Sequence, residues 1–443
     1  MPAQRYGILC CGLLLAGATL ARLPAPSRIQ SNEALTITAL AFVLSPLLMS
    51  WPLMAIGISF TDALFEAISG VTTTGLSVVG NIEQRSSVFL FARAWMQWYG
   101  GLGIVVLSVA LLMGHHAAAR RLVDPVAGGE ALVATARTHA RHGILVYLCL
   151  TLLGLAVVWP LVGNGFTALL HVLAAVSTGG FSSFDNSLAG VDATAAAAIM
   201  GVALLGAVSL PLYWRIFHSG WSAGLRTLYG DVELRALLIC CLLAGGLLSW
   251  LAWEHGAAAP WYQGMMMGLS AQSTTGFATL PVASMDPASK LVMIVSMLVG
   301  GSVGSTAGGF KLLRLLILLR MLQMMLRRSA LPPHAVVEPY LAGQKLDADD
   351  LERALQLILL FIGIVVLSWM PFLVLGYDPL NALFEVASAT GTVGLSSGIS
   401  RPELEPVLKG VLCFDMLAGR LEIIALLVLI YPGNWIGRRG ELS

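Results

Sequence analysis

The chain has 443 residues, 25 Lys and Arg, 24 Asp and Glu, and a formal net charge of +1. Hydrophobic types make up 57% of it and charged types 11%, against about 45–50% and about 25% in soluble globular domains. So much apolar surface requires lipid as its solvent, which excludes a soluble enzyme, and the near-zero charge leaves no basic field for nucleic acid.

Arg5 and the apolar run 7–20 lie in an N-terminal hydrophobic segment, 1–30, that reads as a short first membrane helix, with a signal peptide as the alternative. Runs long enough for spans of about 20 residues follow at 34–57, 88–113, 143–162, 195–214, 236–253, 288–326 (interrupted), 354–375 and 406–431. Between the two members of each pair lies a stretch too short to span, ending in Gly, Ser and Thr. Such stretches read as re-entrant segments, which survive at membrane depth only around a shared cavity.

The four stretches overlay on Gly75, Gly180, Gly276 and Gly394. Six residues earlier stand Ser69, Ala174, Ser270 and Ser388, all small. Thirteen earlier stand Asp62, Thr167, Gln263 and Asn381, three of them good helix N-caps. On that register Glu66 and Glu385 fall in the first helical turn, where a carboxylate suits the positive dipole end. The expected fold is all-α and polytopic, with four span–short helix–span repeats in pseudo-fourfold array around one pore, at 34–115, 143–215, 236–327 and 354–436.

Basic residues concentrate in the connections after the first three repeats (Arg120, Arg121, Arg137 and Arg141; Arg215, Arg226 and Arg235; Lys311 to Arg353) and at Arg438 and Arg439. The positive-inside rule then puts these connections and the C-terminus in the cytoplasm, so the short helices enter from outside. Their negative C-terminal ends point to mid-membrane and favour a cation. The carbonyls of Thr73, Thr74 and Gly75, of Thr178, Gly179 and Gly180, of Thr274, Thr275 and Gly276, and of Gly391, Thr392, Val393 and Gly394 can replace a monovalent cation's hydration shell. Close helix packing through small residues is the alternative.

The GGSVGSTAGGF stretch from Gly300 to Phe310 breaks the last span of the third repeat. It is not a Walker A loop, because Phe310 stands where lysine is needed. It reads as a gate built on Gly300, Gly301, Gly304, Ser305, Thr306, Gly308 and Gly309, or else as a close helix crossing. Arg420 lies in the last apolar run, between Asp415 and Glu422; it either pairs with a carboxylate or projects into the permeation path. The six cysteines read as small core residues, His115, His116, His139 and His142 as solvated loop residues, and His171 as packing. No Ser-His-Asp set, HExxH motif or intramembrane aspartate pair is present, which argues against an intramembrane enzyme.

Four stretches together resemble the Trk/Ktr/HKT superfamily of potassium transporters, and most closely its TrkH-type membrane subunits. They are FEAISGVTTTG at 65–75, WYGGLGI at 98–104, GSTAGGFK at 304–311 and MLAGRLE at 416–422, with HAVVEPY at 334–340 in addition. The resemblance implies potassium as the transported ion, selected at the four glycine segments. It implies the 300–309 loop as gate, with Arg420 beneath the filter. It further implies a homodimer in the bacterial cytoplasmic membrane and a cytosolic regulatory ring of the TrkA or KtrA type, which would carry any ATP, ADP or NAD(H). Relatives carry two extra N-terminal helices where this chain shows one short run. Sodium permeation or sodium- or proton-coupled transport is the other reading, with Asp415 as its best carboxylate.

Overall fold

A computed structural model describes residues 2–22, 31–114, 132–330, 332, 340–431, 433 and 435. His115, His116, Arg120, Arg121, the 334–339 stretch, Arg438 and Arg439 lie outside them. Four leading spans run over Ser31–Leu53, Leu132–Val162, Val232–Glu254 and Ala348–Val374, each followed by a short helix: Phe60–Val71, Gly165–Val176, Pro260–Gln272 and Pro379–Thr390. An extended segment and a trailing span complete each unit. Apart from a two-stranded antiparallel ladder, Tyr340–Leu341 with Gln344–Lys345, the described residues fold as helices and loops.

The leading spans present leucines outward, Leu152 and Leu367 at 68% exposure, while the short helices are buried on most of their residues. An apolar shell around a polar centre is the arrangement lipid selects. The N-terminal helix Pro2–Leu20 lies outside that shell, tied by an Arg5 Nη1 bond of 3.0 Å to the Trp51 carbonyl. Cys10, Cys11 and Cys149 also point outward, so of the six only Cys241 is a buried core residue. His139 and His142 are helical rather than loop residues, and His142 stacks on Trp214 with ring centroids 3.4 Å apart.

The caps sit three residues earlier than the sequence reading put them. Ser59, Asn164 and Asp378 cap their helices by accepting amide hydrogens, whereas the third helix starts at Pro260 without a side-chain cap. Proline suits that first position, where no N–H is needed. Asp62 instead completes the cap: its N–H donates to Ser59 Oγ, whose hydroxyl donates back to the Asp62 carboxylate at 2.7 Å. Asp62 and Asn381 also receive a lysine from the preceding unit, Lys409 Nζ at 2.6 Å and Lys290 Nζ at 2.9 Å. These contacts tie unit four to unit one and unit three to unit four.

Three of the four trailing spans are broken; only Ser87–Gly114 is continuous. The expected 195–214 run is two helices, Ala193–Ala207 and Leu210–His218, bent by 85°. Pro211 has no N–H for the Ala207 carbonyl and the Leu210 amide turns to Gly304, so the carbonyls of Ala207 and Gly206 accept the Ser302 and Thr306 amides instead. The third trailing span divides into Pro287–Val299 and Leu312–Ser329, the fourth into Pro406–Arg420 and Ile424–Ile430.

Candidate functional site

All four short helices end in the same way. Thr73, Thr178, Thr274 and Thr392 take left-handed φ of 54°, 50°, 54° and 49°. Each donates its amide three residues back, to Gly70, Ala175, Ala271 and Ala389. The next residue's amide reaches five back, to Ser69, Ala174, Ser270 and Ser388. This is the Schellman pattern, with a β-branched residue where glycine would be unstrained. The small residues six before each glycine are therefore the carbonyls that fasten the turn. In units one and four the serine hydroxyl also accepts the glycine amide, at 3.0 Å to Gly75 and 3.1 Å to Gly394.

The four glycines form one closed ring. A Cβ on Gly75 would overlap the Gly179 carbonyl oxygen, one on Gly180 that of Thr275, one on Gly276 that of Val393, and one on Gly394 that of Thr74. Each glycine thus abuts the carbonyl before the next unit's glycine, and the fourth returns to the first. Their φ values, 93°, 74°, 80° and 95°, lie in the region only glycine enters freely. The order also sets units two and four diagonally opposite. The Thr73 and Thr392 hydroxyls are buried and have no partner among the described residues.

Glu66 and Glu385 do not serve the helix dipole. They lie in the second turn, fully buried, and hold the strand that follows the glycine. Glu66 Oε1 accepts from Ser77 Oγ at 2.6 Å and Val78 N at 2.8 Å, and Arg93 Nε stands 3.2 Å from Oε2. Glu385 accepts from the Ser396 and Ser397 hydroxyls and from the Ser397 and Ser400 amides, at 2.8–3.0 Å. Glu385→Ala removes the acceptor of four donors, of which the Ser397 amide is buried and Ser396 and Ser400 are half-buried, while the Ser397 hydroxyl keeps the Asn381 carbonyl. It should cost about 2–3 kcal/mol. Thermal unfolding in detergent would read this as a clear drop, with Glu385→Gln falling less. His171 is not mere packing either, since it bonds Ser182 in the corresponding place.

Gln97, overlooked in the sequence, holds the second strand from the first trailing span. Its Nε2 donates to the Gly179 carbonyl and its Oε1 accepts the Phe181 amide at 3.1 Å. The signal available was a lone glutamine inside an apolar span.

The 300–309 loop packs against units two, three and four. Gly309 N donates to the Gly391 carbonyl at 3.1 Å and Gly308 N to Thr274 Oγ1 at 2.7 Å. A Cβ on Gly308 would overlap the Gly391 carbonyl and Thr392 Oγ1, and Gly300, Gly304 and Gly309 have left-handed φ of 71–73°. Thr306 Oγ1 reaches the unit-two carbonyls of Val176 and Gly206 at 3.0 and 2.9 Å, and its own carbonyl accepts from Arg420 Nη1 of unit four at 2.6 Å. One residue therefore bridges opposite units. Gly301 packs on Ala307, and Ser305 Oγ donates to the Ser302 carbonyl at 2.6 Å. Gln272 Nε2 and Glu233 Oε2 anchor the loop at Gly300 O and Val303 N, both at 2.7 Å.

Arg420 ends the Pro406–Arg420 half of the fourth trailing span, with Nε and Nη2 buried and unpartnered among the described residues, while Glu422 pairs with Arg314. Lys311 and Arg314, assigned by sequence to a cytoplasmic connection, are instead buried against this loop. Asp415 lies apart from the ring, accepting from Ser368 Oγ at 2.5 Å.

Four re-entrant helices around a glycine ring, inside an apolar helical shell, define a polytopic membrane protein with a central carbonyl-lined site. The chain belongs to the TrkH family of cation transport proteins, whose family model matches residues 13–434. It is 28% identical to an uncharacterized cation transporter of Methanocaldococcus jannaschii over 93% of this chain and 85% of that protein. It is also 28% identical to the Trk system potassium uptake protein TrkH of Escherichia coli, over 85% and 80% of the two chains. The crystal structure of the potassium transporter TrkH from Vibrio parahaemolyticus superposes with a TM-score of 0.85 at 27% identity, over 98% of this chain and 93% of that one.

Proposed function

We propose that the chain takes up potassium passively across the bacterial cytoplasmic membrane, driven by membrane potential and concentration gradient. The closed glycine ring carries this reading. Carbonyls at Thr74, Gly179, Thr275 and Val393, flanked by the helix ends above Thr73, Thr178, Thr274 and Thr392, stand where a dehydrated monovalent cation is stabilised. The persistence of a strained threonine in four equivalent places supports a functional demand on those positions. The outer face is the one from which the short helices enter.

The 300–309 loop is the gate in this reading, because the Thr306 bridge between opposite units leaves it beneath the ring. Arg420 fastens the bridge and its positive charge raises the barrier for a cation leaving the ring. A homodimer and a cytosolic nucleotide-binding ring of the TrkA or KtrA type complete the assembly, the ring acting on the gate. Potassium uptake by the related proteins of E. coli and V. parahaemolyticus supports the choice of ion.

The test is growth and rubidium uptake in a bacterial strain lacking its own potassium uptake. Rescue at low potassium, enhanced by a TrkA-like partner, is the expected result. Absence of uptake by a correctly inserted chain, with the partner present, would overturn the proposal.

A further inference from the structure

His171 occupies the same register as Glu66 and Glu385, nine residues before its glycine, and Ser182 matches Ser77 and Ser396, two residues after. The imidazole Nδ1 faces the Thr167 carbonyl at 2.8 Å, so it carries a hydrogen, and Nε2 meets Ser182 Oγ at 3.1 Å. Units one, two and four thus share one device: a buried polar side chain on the short helix grips the hydroxyl just past the glycine. Unit three departs at both ends, with Met267 and Ala278 in the matching places.

The unit-three strand is fastened from unit two instead. The Ala278 amide donates to Ser187 Oγ at 3.0 Å, and the Ala278 carbonyl accepts the Leu188 amide at 3.0 Å. Ser187 is held with a left-handed φ of 53° at the end of a turn that starts at Ser182. Ser182 Oγ accepts the Phe184 amide at 3.0 Å and stands 3.3 Å from the Ser187 carbonyl, while Ser187 N donates to the Phe184 carbonyl. The imidazole also lies against Phe184 and against Phe277, the residue after Gly276.

We infer that His171 is a specificity-setting positioning residue for two adjacent segments of the ring, holding unit two through Ser182 and unit three through the 182–188 turn. The inference rests on the reading of the ring as the selective element. Glu385 serves its own segment, so the loss of His171 should disturb selection more than the loss of Glu385. Glu66 also reaches unit two, through Arg93, whose guanidinium lies 3.2 Å from Oε2 and over the Phe181 ring. A hydrogen bond behind the ring acts on selectivity because carbonyl position sets the relative cost of dehydrating each ion.

The purified chain, reconstituted in vesicles, would be assayed for relative potassium and sodium permeability in the forms His171→Leu, His171→Gln, Ser182→Ala and Gly75→Ser. His171→Leu and Ser182→Ala should each lower the ratio about fivefold, the equilibrium factor of one net hydrogen bond. His171→Gln, whose amide reaches the Nε2 position, should restore most of it; a merely space-filling role would be served as well by leucine. An unchanged ratio in Ser182→Ala, with Gly75→Ser shifted, would overturn the inference and leave the ring reading standing, even where His171→Leu does not insert. No shift in any of them, Gly75→Ser included, would overturn both.

Discussion

Gly75→Ser should reduce discrimination between potassium and sodium about tenfold, or about 1.4 kcal/mol of differential binding. The added Cβ overlaps the Gly179 carbonyl oxygen, and φ of 93° disfavours any side chain there. The backbone must therefore shift, and Gly179 cannot yield freely because Gln97 holds it. The displacement therefore falls mainly on the Gly75 backbone and the adjoining Thr74 carbonyl of the ring. Sodium, smaller and more strongly hydrated, gains from a ring that no longer fits the larger ion. Relative permeability from reversal potentials of the purified variant measures this, and an unaltered ratio would remove the ring from selection. Equivalent serines at Gly180, Gly276 and Gly394 should act alike, since each glycine meets its neighbour in the same way.

Removing Ser305–Ala307 should raise flux about tenfold or more without the regulatory partner. The deletion takes out Thr306, which joins Val176 and Gly206 of unit two to Arg420 of unit four. With that bridge gone, the loop keeps separate contacts to unit two at Ser302 and Gly304 and to unit four at Gly309, but no single residue joins the two units. An equilibrium that strongly favours the obstructed form moves by the free energy of the contacts removed. Arg420→Ala should act in the same direction but less, because the Thr306 hydroxyl contacts remain. Concentrative rubidium uptake into vesicles distinguishes the outcomes, and unaltered flux in the deletion would leave the loop with a packing role alone.

The register of the four glycines was readable because it is local: a turn of fixed geometry needs glycine after threonine and a small residue six earlier. The apolar runs located the leading spans for the same reason, since one continuous helix has one composition. What escaped was set by neighbours distant in sequence. The helix caps were placed three residues late, because Asp62 and Asn381 look like caps and act as partners of Lys409 and Lys290. Glu66 and Glu385 suggested a helix dipole, and only the folded strand shows them bonded eleven to fifteen residues ahead. His171 had no like residue in the other repeats by type, although it matched Glu66 and Glu385 by position. The bend at Val208 was hidden in an apolar run, yet Pro211 and the loop amides that take up the freed carbonyls account for it. Gln97 carried the weakest signal, a single polar side chain in a span.

Asp415 bears on the alternative of coupled transport. Its carboxylate sits between two spans of unit four, bonded to Ser368 and away from the ring, whereas Glu385, the unit-four carboxylate behind the glycine segment, is taken up by the Ser396, Ser397 and Ser400 donors. The proposal of passive conduction accordingly assigns Asp415 no part in transport. The most direct measurement is potassium or rubidium flux through the purified wild-type chain in sealed vesicles, with the sodium and proton gradients set separately. Uptake that follows the potassium gradient and membrane potential, and needs neither other gradient, is the expected result. Uptake that appears only when a sodium or proton gradient is imposed would contradict it.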